Sequence, residues 1–110
     1  MKYYMVEGII LDAGKMDDAI MKEHMAYTQK AMDSGMIFLS GLKTDMSGGI
    51  FLMKAEKPEE IESYLAAEPF KRNGIQDYRW AEFDTHYIHP QPDQWFEKYI
   101  LPVIRQEDEA

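Results

Sequence analysis

Residues 36–55 read MIFLSGLKTDMSGGIFLMKA, two apolar segments separated by a polar stretch. The first segment, Met36 to Lys43, and the second, Ile50 to Ala55, are rich in the aliphatic and aromatic side chains that favour β-strands. The stretch between them, Thr44 to Gly49, contains an aspartate, a serine and paired glycines, which favour a turn. This part of the chain therefore predicts a β-hairpin.

A strand and a helix are predicted on each side of this hairpin. The segments are a strand over Tyr3 to Leu11, a helix over Met16 to Ser34, a helix from Pro58 to about Ala67, and a strand over Tyr78 to Tyr87. The order strand, helix, strand, strand, helix, strand predicts an α+β protein with a ferredoxin-like βαββαβ fold and an antiparallel four-stranded sheet. Residues of about 92–106 are expected to add a C-terminal helix.

Both faces of the predicted sheet carry apolar side chains. In the first strand Met5 and Ile9 alternate with Val6 and Ile10, and the hairpin strand 50–55 alternates in the same way. Two helices can cover only one face of such a sheet, and the other face would expose a patch larger than monomers usually tolerate. A homodimer in which a second copy packs sheet to sheet is therefore expected.

Composition excludes several classes of protein. A chain of 110 residues fits one domain, 1–110, with a core of about 2–88. The formal charge of −8 would repel nucleic acid, and the absence of cysteine excludes thiolate chemistry. No apolar run is long enough for a membrane span, and no signal peptide is evident, so a cytoplasmic protein is expected. The sequence contains no P-loop, GxGxxG or GxSxG motif, and no cofactor is expected.

His24 is the most informative single residue. On a helical wheel it lies on the apolar side of the first predicted helix, together with Met21 and Tyr27. A histidine placed there needs a hydrogen-bond partner, because an unpaired buried polar group costs about 1–3 kcal/mol. His24 is thus either a core histidine with a structural partner or a functional group.

Three short motifs resemble the YciI-like, or YCII-related, family of the dimeric α/β barrel superfamily. Glu23-His24-Met25-Ala26 is similar to the family's EHL motif, and Ser40-Gly41-Leu42 lies where the family has a small residue and a glycine. Glu68-Pro69-Phe70 followed by Gly74 is similar to its DPF…G motif. The resemblance covers roughly residues 2–87. Glu68 retains the carboxylate of the family's aspartate and adds one methylene group to it.

The resemblance implies that His24 and Glu68 form the functional pair. A carboxylate can hold one ring nitrogen of a histidine and leave the other free to take or give a proton. It further implies a small cofactor-independent enzyme of lyase, dehalogenase or isomerase type that acts on a small, aromatic or enol-like molecule. The alternatives are a non-catalytic protein that binds a small molecule and, with no cofactor signature to support it, a heme- or oxygen-handling monooxygenase.

Other residues are candidates for binding the substrate or a metal. Ser40, Gly41, Phe70, Trp80 and Glu82 are predicted to contribute to the substrate site, and aromatic residues are predicted to form the floor of a pocket. These aromatic residues are Tyr4, Phe38, Phe70, Trp80 and Phe83. His86 and His89 could join His24 at a metal, but their spacing sends strand side chains to opposite faces, so no metal site is expected.

Overall fold

The computed structural model describes residues 1–96. Its principal elements are β1 (Lys2–Ile10), α1 (Asp18–Asp33), β2 (Ile37–Leu42), β3 (Gly49–Ala55), α2 (Pro58–Ala66), α3 (Pro69–Arg72), β4 (Gln76–Phe83) and α4 (Pro92–Trp95). A single turn of 3₁₀ helix over Ala13–Lys15 links β1 to α1. The strands form one antiparallel sheet in the order β2-β3-β1-β4, which is the ferredoxin-like topology that the sequence predicts.

The helices begin and end where local chemistry favours it. The side chain of Asp17 caps α1 by accepting a hydrogen bond of 2.8 Å from the backbone N–H of Ile20. After the end of α1, Gly35 adopts a φ of +83°, the left-handed conformation in which glycine has no steric penalty. In α2 the proline occupies the first turn, where its missing N–H costs nothing.

The core lies between the helices and one face of the sheet. Alternate residues of β1 and β3 point towards it, and α2 contributes Ile61 and Leu65. The buried apolar side chains of the main cluster are Tyr4, Val6, Ala31, Ile37, Phe51, Met53, Ala55, Ile61 and Leu65. Only Ala31 of α1 is fully buried, so most of the apolar side of this helix does not pack into the core as the wheel suggested.

The β4 strand differs from its prediction, and the predicted C-terminal helix is described only in part. β4 begins two residues earlier than expected, at Gln76, and ends at Phe83 rather than at Tyr87. The last pair of residues between the two strands is Phe83 and Tyr3, and only Lys2 of β1 lies beyond it. The α3 helix was not predicted. The α4 helix covers only the beginning of the predicted C-terminal helix, and residues 97–106 of that prediction lie outside the described residues.

The turn between β2 and β3 packs closely against the end of β1. The N–H of Ile10 donates a hydrogen bond of 2.8 Å to the carbonyl of Ser47. Gly48, with a φ of +151°, lies so close to β1 that a Cβ atom there would be 1.9 Å from the carbonyl oxygen of Gly8. Within residues 1–96, no helix combines the length and the apolar character that crossing a membrane requires.

Removing the side chain of Ile61 should destabilise the protein strongly. Ile61 is completely buried, and truncating a buried aliphatic side chain to alanine costs about 2–5 kcal/mol. We expect Ile61→Ala to lower the free energy of unfolding in urea by that amount. Leu11→Ala, at a position that is 64% exposed, is the control and should change it by less than about 0.5 kcal/mol. Equal effects of the two substitutions would contradict this description of the core.

Candidate active site

Glu68 is a fully buried carboxylate at the start of α3. It lies just before Pro69, and its Oε2 accepts hydrogen bonds from the backbone N–H groups of Phe70 (3.0 Å) and Lys71 (3.3 Å). The same oxygen accepts a bond of 2.6 Å from the hydroxyl group of Tyr78. A buried charge is very costly unless it is paired and hydrogen-bonded, and these contacts meet that need for Oε2.

The other oxygen of Glu68 pairs with His24. The distance from Oε1 to Nδ1 of His24 is 2.5 Å, and the imidazole ring is about one-fifth exposed. Three donors to Oε2 favour the ionised carboxylate, which can only accept, so we assign the proton of this pair to Nδ1. Within residues 1–96, no group bonds to Nε2. The ring is thus held at one nitrogen, and the other nitrogen remains free to exchange a proton with a ligand.

The short Glu-Pro-Phe motif positions this pair in three ways. Glu68 caps α3, Pro69 occupies its first position, and the ring of Phe70 stacks on His24. The two ring centroids are 3.8 Å apart, and the planes differ by 2°. Phe70 is itself buried, so stacking on it holds the plane of the imidazole ring. The bond to Glu68 determines which edge of the ring faces the carboxylate.

His24 lines a cavity of about 510 Å³ between α1 and the sheet. This size is within the range of sites for small molecules. The lining is mostly apolar and includes five methionines, Met16, Met21, Met25, Met32 and Met46. Polar side chains in the lining are His24, Thr28, Gln29, Ser40 and Gln76. In the described part of the chain, no aspartate, glutamate, lysine or arginine lines this cavity.

The predicted site residues divide into two groups. His24, Ser40, Gly41 and Phe70 line the cavity, and Glu68 lies directly behind His24. Trp80 and Glu82 do not line the cavity. They face the helices near the other end of β4, where Trp80 packs edge-on against Tyr4, with ring centroids 5.5 Å apart, and Glu82 pairs with Lys2 at 3.0 Å.

The other candidates also lie away from the cavity. Tyr4 is buried in the core, whereas Phe38 and Phe83 are exposed side chains beside a second hollow. His86 and His89 are exposed in the segment after β4, and among residues 1–96 no three metal-ligating side chains come together. The aromatic floor predicted from the sequence thus reduces to Phe70, joined by Phe51, which was not predicted.

Two further residues of β4, which the sequence did not predict for this site, belong to it. Tyr78 contacts Glu68, and Gln76 donates a hydrogen bond of 2.7 Å to the hydroxyl oxygen of Tyr78. Burial first, and then the bond to Glu68, raise the pKa of Tyr78 above its ordinary value. The alternation of β4 could have indicated them. Gln76 and Tyr78 lie at alternate positions with Trp80 and Glu82, so all four side chains point to the same face of the sheet.

Comparison with known protein families assigns this chain to one of them. The fold is that of an α+β protein of the ferredoxin-like type, and residues 1–84 match the family model described as the YCII-related domain. The chain therefore belongs to the YCII-related domain family, as its motifs suggested. No curated protein matches it in sequence.

Two solved structures are similar to this chain. One is the 5-chloro-2-hydroxyhydroquinone dehydrochlorinase of Burkholderia phenoliruptrix in complex with 2,5-dihydroxybenzoquinone, with 16% identity and a TM-score of 0.53. The similarity covers 81% of this chain and 96% of that one, and it shows a shared fold. The other is a hypothetical protein from Pyrococcus horikoshii, with 11% identity, coverage of 82% and 98%, and a TM-score of 0.49.

The raised pKa of Tyr78 predicts a loss of stability at alkaline pH. Above about pH 10 the unfolded chain loses its phenolic proton while the folded protein keeps it, so the free energy of unfolding falls as the pH rises. Tyr78→Phe should make this fall less steep by up to about 1.4 kcal/mol per pH unit, the effect of one proton. Urea unfolding at pH 8 and at several values above 10 measures it. The 96% exposed Tyr87 offers the control Tyr87→Phe, and equal slopes for both variants would contradict the prediction.

Proposed function

We propose that this protein is a small cofactor-independent enzyme in which His24 transfers a proton to and from a small-molecule substrate. The observation that carries the proposal is the buried Glu68 carboxylate on Nδ1 of a histidine that lines a cavity. Nδ1–H bonded to Glu68 leaves the lone pair of Nε2 as the base, and the carboxylate stabilises the imidazolium that forms when Nε2 takes the proton. The same nitrogen then returns the proton as an acid.

The lining of the cavity favours an uncharged substrate. Apart from His24, no described lining side chain can carry a positive charge to pair with an anionic substituent, and the chain carries a net charge of −8. Methionine and aromatic side chains suit a flat apolar ring, because thioether groups adapt to its shape and contact it favourably. We propose that Ser40 contacts a hydroxyl or carbonyl group of such a ring, while Phe70 and the absence of a side chain at Gly41 shape the space around it.

The chemistry that suits this site is proton transfer on a hydroxylated aromatic or enol-like ring, as in lyase, dehalogenase or isomerase reactions. The similar dehydrochlorinase is named for a substrate of this kind, and this motivates the compounds to be tested first. Hydroquinones and hydroxyhydroquinones, with and without chlorine, form the panel. Dihydroxybenzoates, which add a carboxylate to the same ring, test the preference for uncharged substrates.

Replacing His24 should abolish turnover while the fold is kept. His24→Gln retains an N–H that can bond to Glu68 but has no group that exchanges a proton, and the loss of a general acid–base typically costs about 10²–10⁴-fold in rate. Product formation by chromatography and chloride release measure turnover, and thermal unfolding measures stability. His86→Gln is the matched control at an exposed histidine and should behave like the parent protein.

Two results would refute the catalytic proposal. If His24→Gln loses most of its stability, His24 is a core residue with a structural partner. If the parent protein binds members of the panel by calorimetry but converts none of them, the protein is a small-molecule binding protein in which the same cavity holds the ligand.

We further propose that the protein is a homodimer that buries the sheet face opposite the helices. Met5 is 44% exposed there and Phe38 59% exposed, and a hollow of about 680 Å³ runs between this face and the exposed side chains of Tyr87 and Ile88. Glu7 is already paired on this face with Lys43 at 2.6 Å and Arg79 at 2.5 Å, which lessens the cost of burying its charge. A second copy would cover these apolar side chains.

A charge on this face should dissociate the dimer. We expect the parent protein to sediment as a dimer at micromolar concentration and Met5→Glu to sediment as a monomer, because the new carboxylate would be buried without a partner. Met25→Glu is a matched control, since Met25 is also 44% exposed but lies on α1 beside the cavity. A parent protein that is monomeric at this concentration would refute the proposal.

A further inference from the structure

The second oxygen of Glu68 is held by a side chain that does not line the cavity. The hydroxyl group of Tyr78 donates to Oε2 at 2.6 Å, the shortest of the three bonds that this oxygen accepts. The two backbone donors belong to α3, on the same short segment as Glu68 itself. Tyr78 belongs to β4, so its bond connects the carboxylate to the sheet.

Gln76 determines the direction in which the hydroxyl group of Tyr78 points. Its Nε2 donates to the hydroxyl oxygen at 2.7 Å, which occupies a lone pair of that oxygen. A hydroxyl group has a single proton, and the amide cannot accept it at Nε2. The proton is therefore directed to Glu68. Gln76 donates to Tyr78 and Tyr78 donates to Glu68, which accepts a further bond from Nδ1–H of His24.

Gly8 provides the space that Gln76 occupies. Gln76 is 3% exposed, and a Cβ atom at position 8 would lie 2.6 Å from Cδ and 2.8 Å from Nε2 of its side chain. Gly8 pairs with Tyr78 across the two strands, two residue pairs away from the pair of Ile10 and Gln76. Any larger residue at position 8 would displace the amide group from the hydroxyl group of Tyr78.

We infer that Tyr78 and Gln76 are positioning residues, which fix the Glu68 carboxylate so that Oε1 holds the proton of His24 on Nδ1. This inference rests on the proposed function of the same site. A glutamate has one more rotatable bond than an aspartate, and its carboxylate needs an additional anchor to keep one orientation. The Tyr78 hydroxyl supplies that anchor, and Nε2 of His24 is kept unprotonated as a consequence.

The test is the tautomer of His24, which NMR of the ring nitrogens reports without any substrate. In the parent protein at a pH where the ring is neutral, we expect a protonated Nδ1 with a low-field proton signal and an unprotonated Nε2. His24→Gln assigns the signals against those of His86 and His89. In Tyr78→Phe the anchor is lost, and we expect the low-field signal to disappear and the major tautomer to shift to protonated Nε2.

Controls separate positioning from packing. Tyr64→Phe removes another partly buried hydroxyl group, which donates to the Tyr27 carbonyl at 3.5 Å, and should leave the His24 signals unchanged. Gln76→Leu and Gly8→Ala keep the Tyr78 hydroxyl and should produce the same shift as Tyr78→Phe to a smaller extent. If Tyr78→Phe does not fold, these two variants carry the test.

The outcomes are distinct from those of the turnover experiments. A folded Tyr78→Phe, or failing that a folded Gln76→Leu and Gly8→Ala, with the parent tautomer and low-field signal would overturn the inference. A tautomer shift in these variants, with the control unchanged, supports it even if no substrate is found. Loss of turnover in His24→Gln with no tautomer shift in Tyr78→Phe would leave the proposed function standing and remove the positioning role.

Discussion

The buried carboxylate of Glu68 is the constraint on which the arrangement of this protein depends. Its donors come from three elements, α1 through His24, α3 through its first two free N–H groups, and β4 through Tyr78. Removing any of them leaves part of a buried carboxylate unpaired, a cost of about 1–3 kcal/mol or more for a charged group. The site and the packing of these elements are therefore stabilised by the same contacts.

The sequence was sufficient to predict the order and pairing of the main elements. Period-2 patterns and the polar turn before β3 are local signals, and they identified the ferredoxin-like sheet correctly. The limits of β4 were wrong because the end of a strand depends on where its partner begins, here Tyr3 of β1. The α3 helix was missed because four residues are too few to show a helical period.

Of the residues at the site, the sequence predicted those that belong to recognisable motifs. The resemblance named His24 and Glu68, and the structure brings these side chains into contact. Gln76 could not be predicted, because its position depends on the register between β1 and β4 and on the space beside Gly8. Trp80 was assigned to the cavity because strand parity alone does not say how far along a strand a pocket extends. The cavity lies beside α1, in which Ala31 alone is buried, and a helical wheel does not show how far a helix stands from the sheet.

Gly48 illustrates a limit on what sequence variation can report. Its Cα lies against the backbone of β1, where even a methyl group would overlap the carbonyl oxygen of Gly8. A library of substitutions should therefore find position 48 nearly as intolerant as His24 and Glu68, although glycine brings no reactive group to it. Intolerance at this position would measure how closely the turn before β3 approaches the main chain of β1, and reading it as the sign of a reactive group would place the chemistry in the wrong part of the molecule.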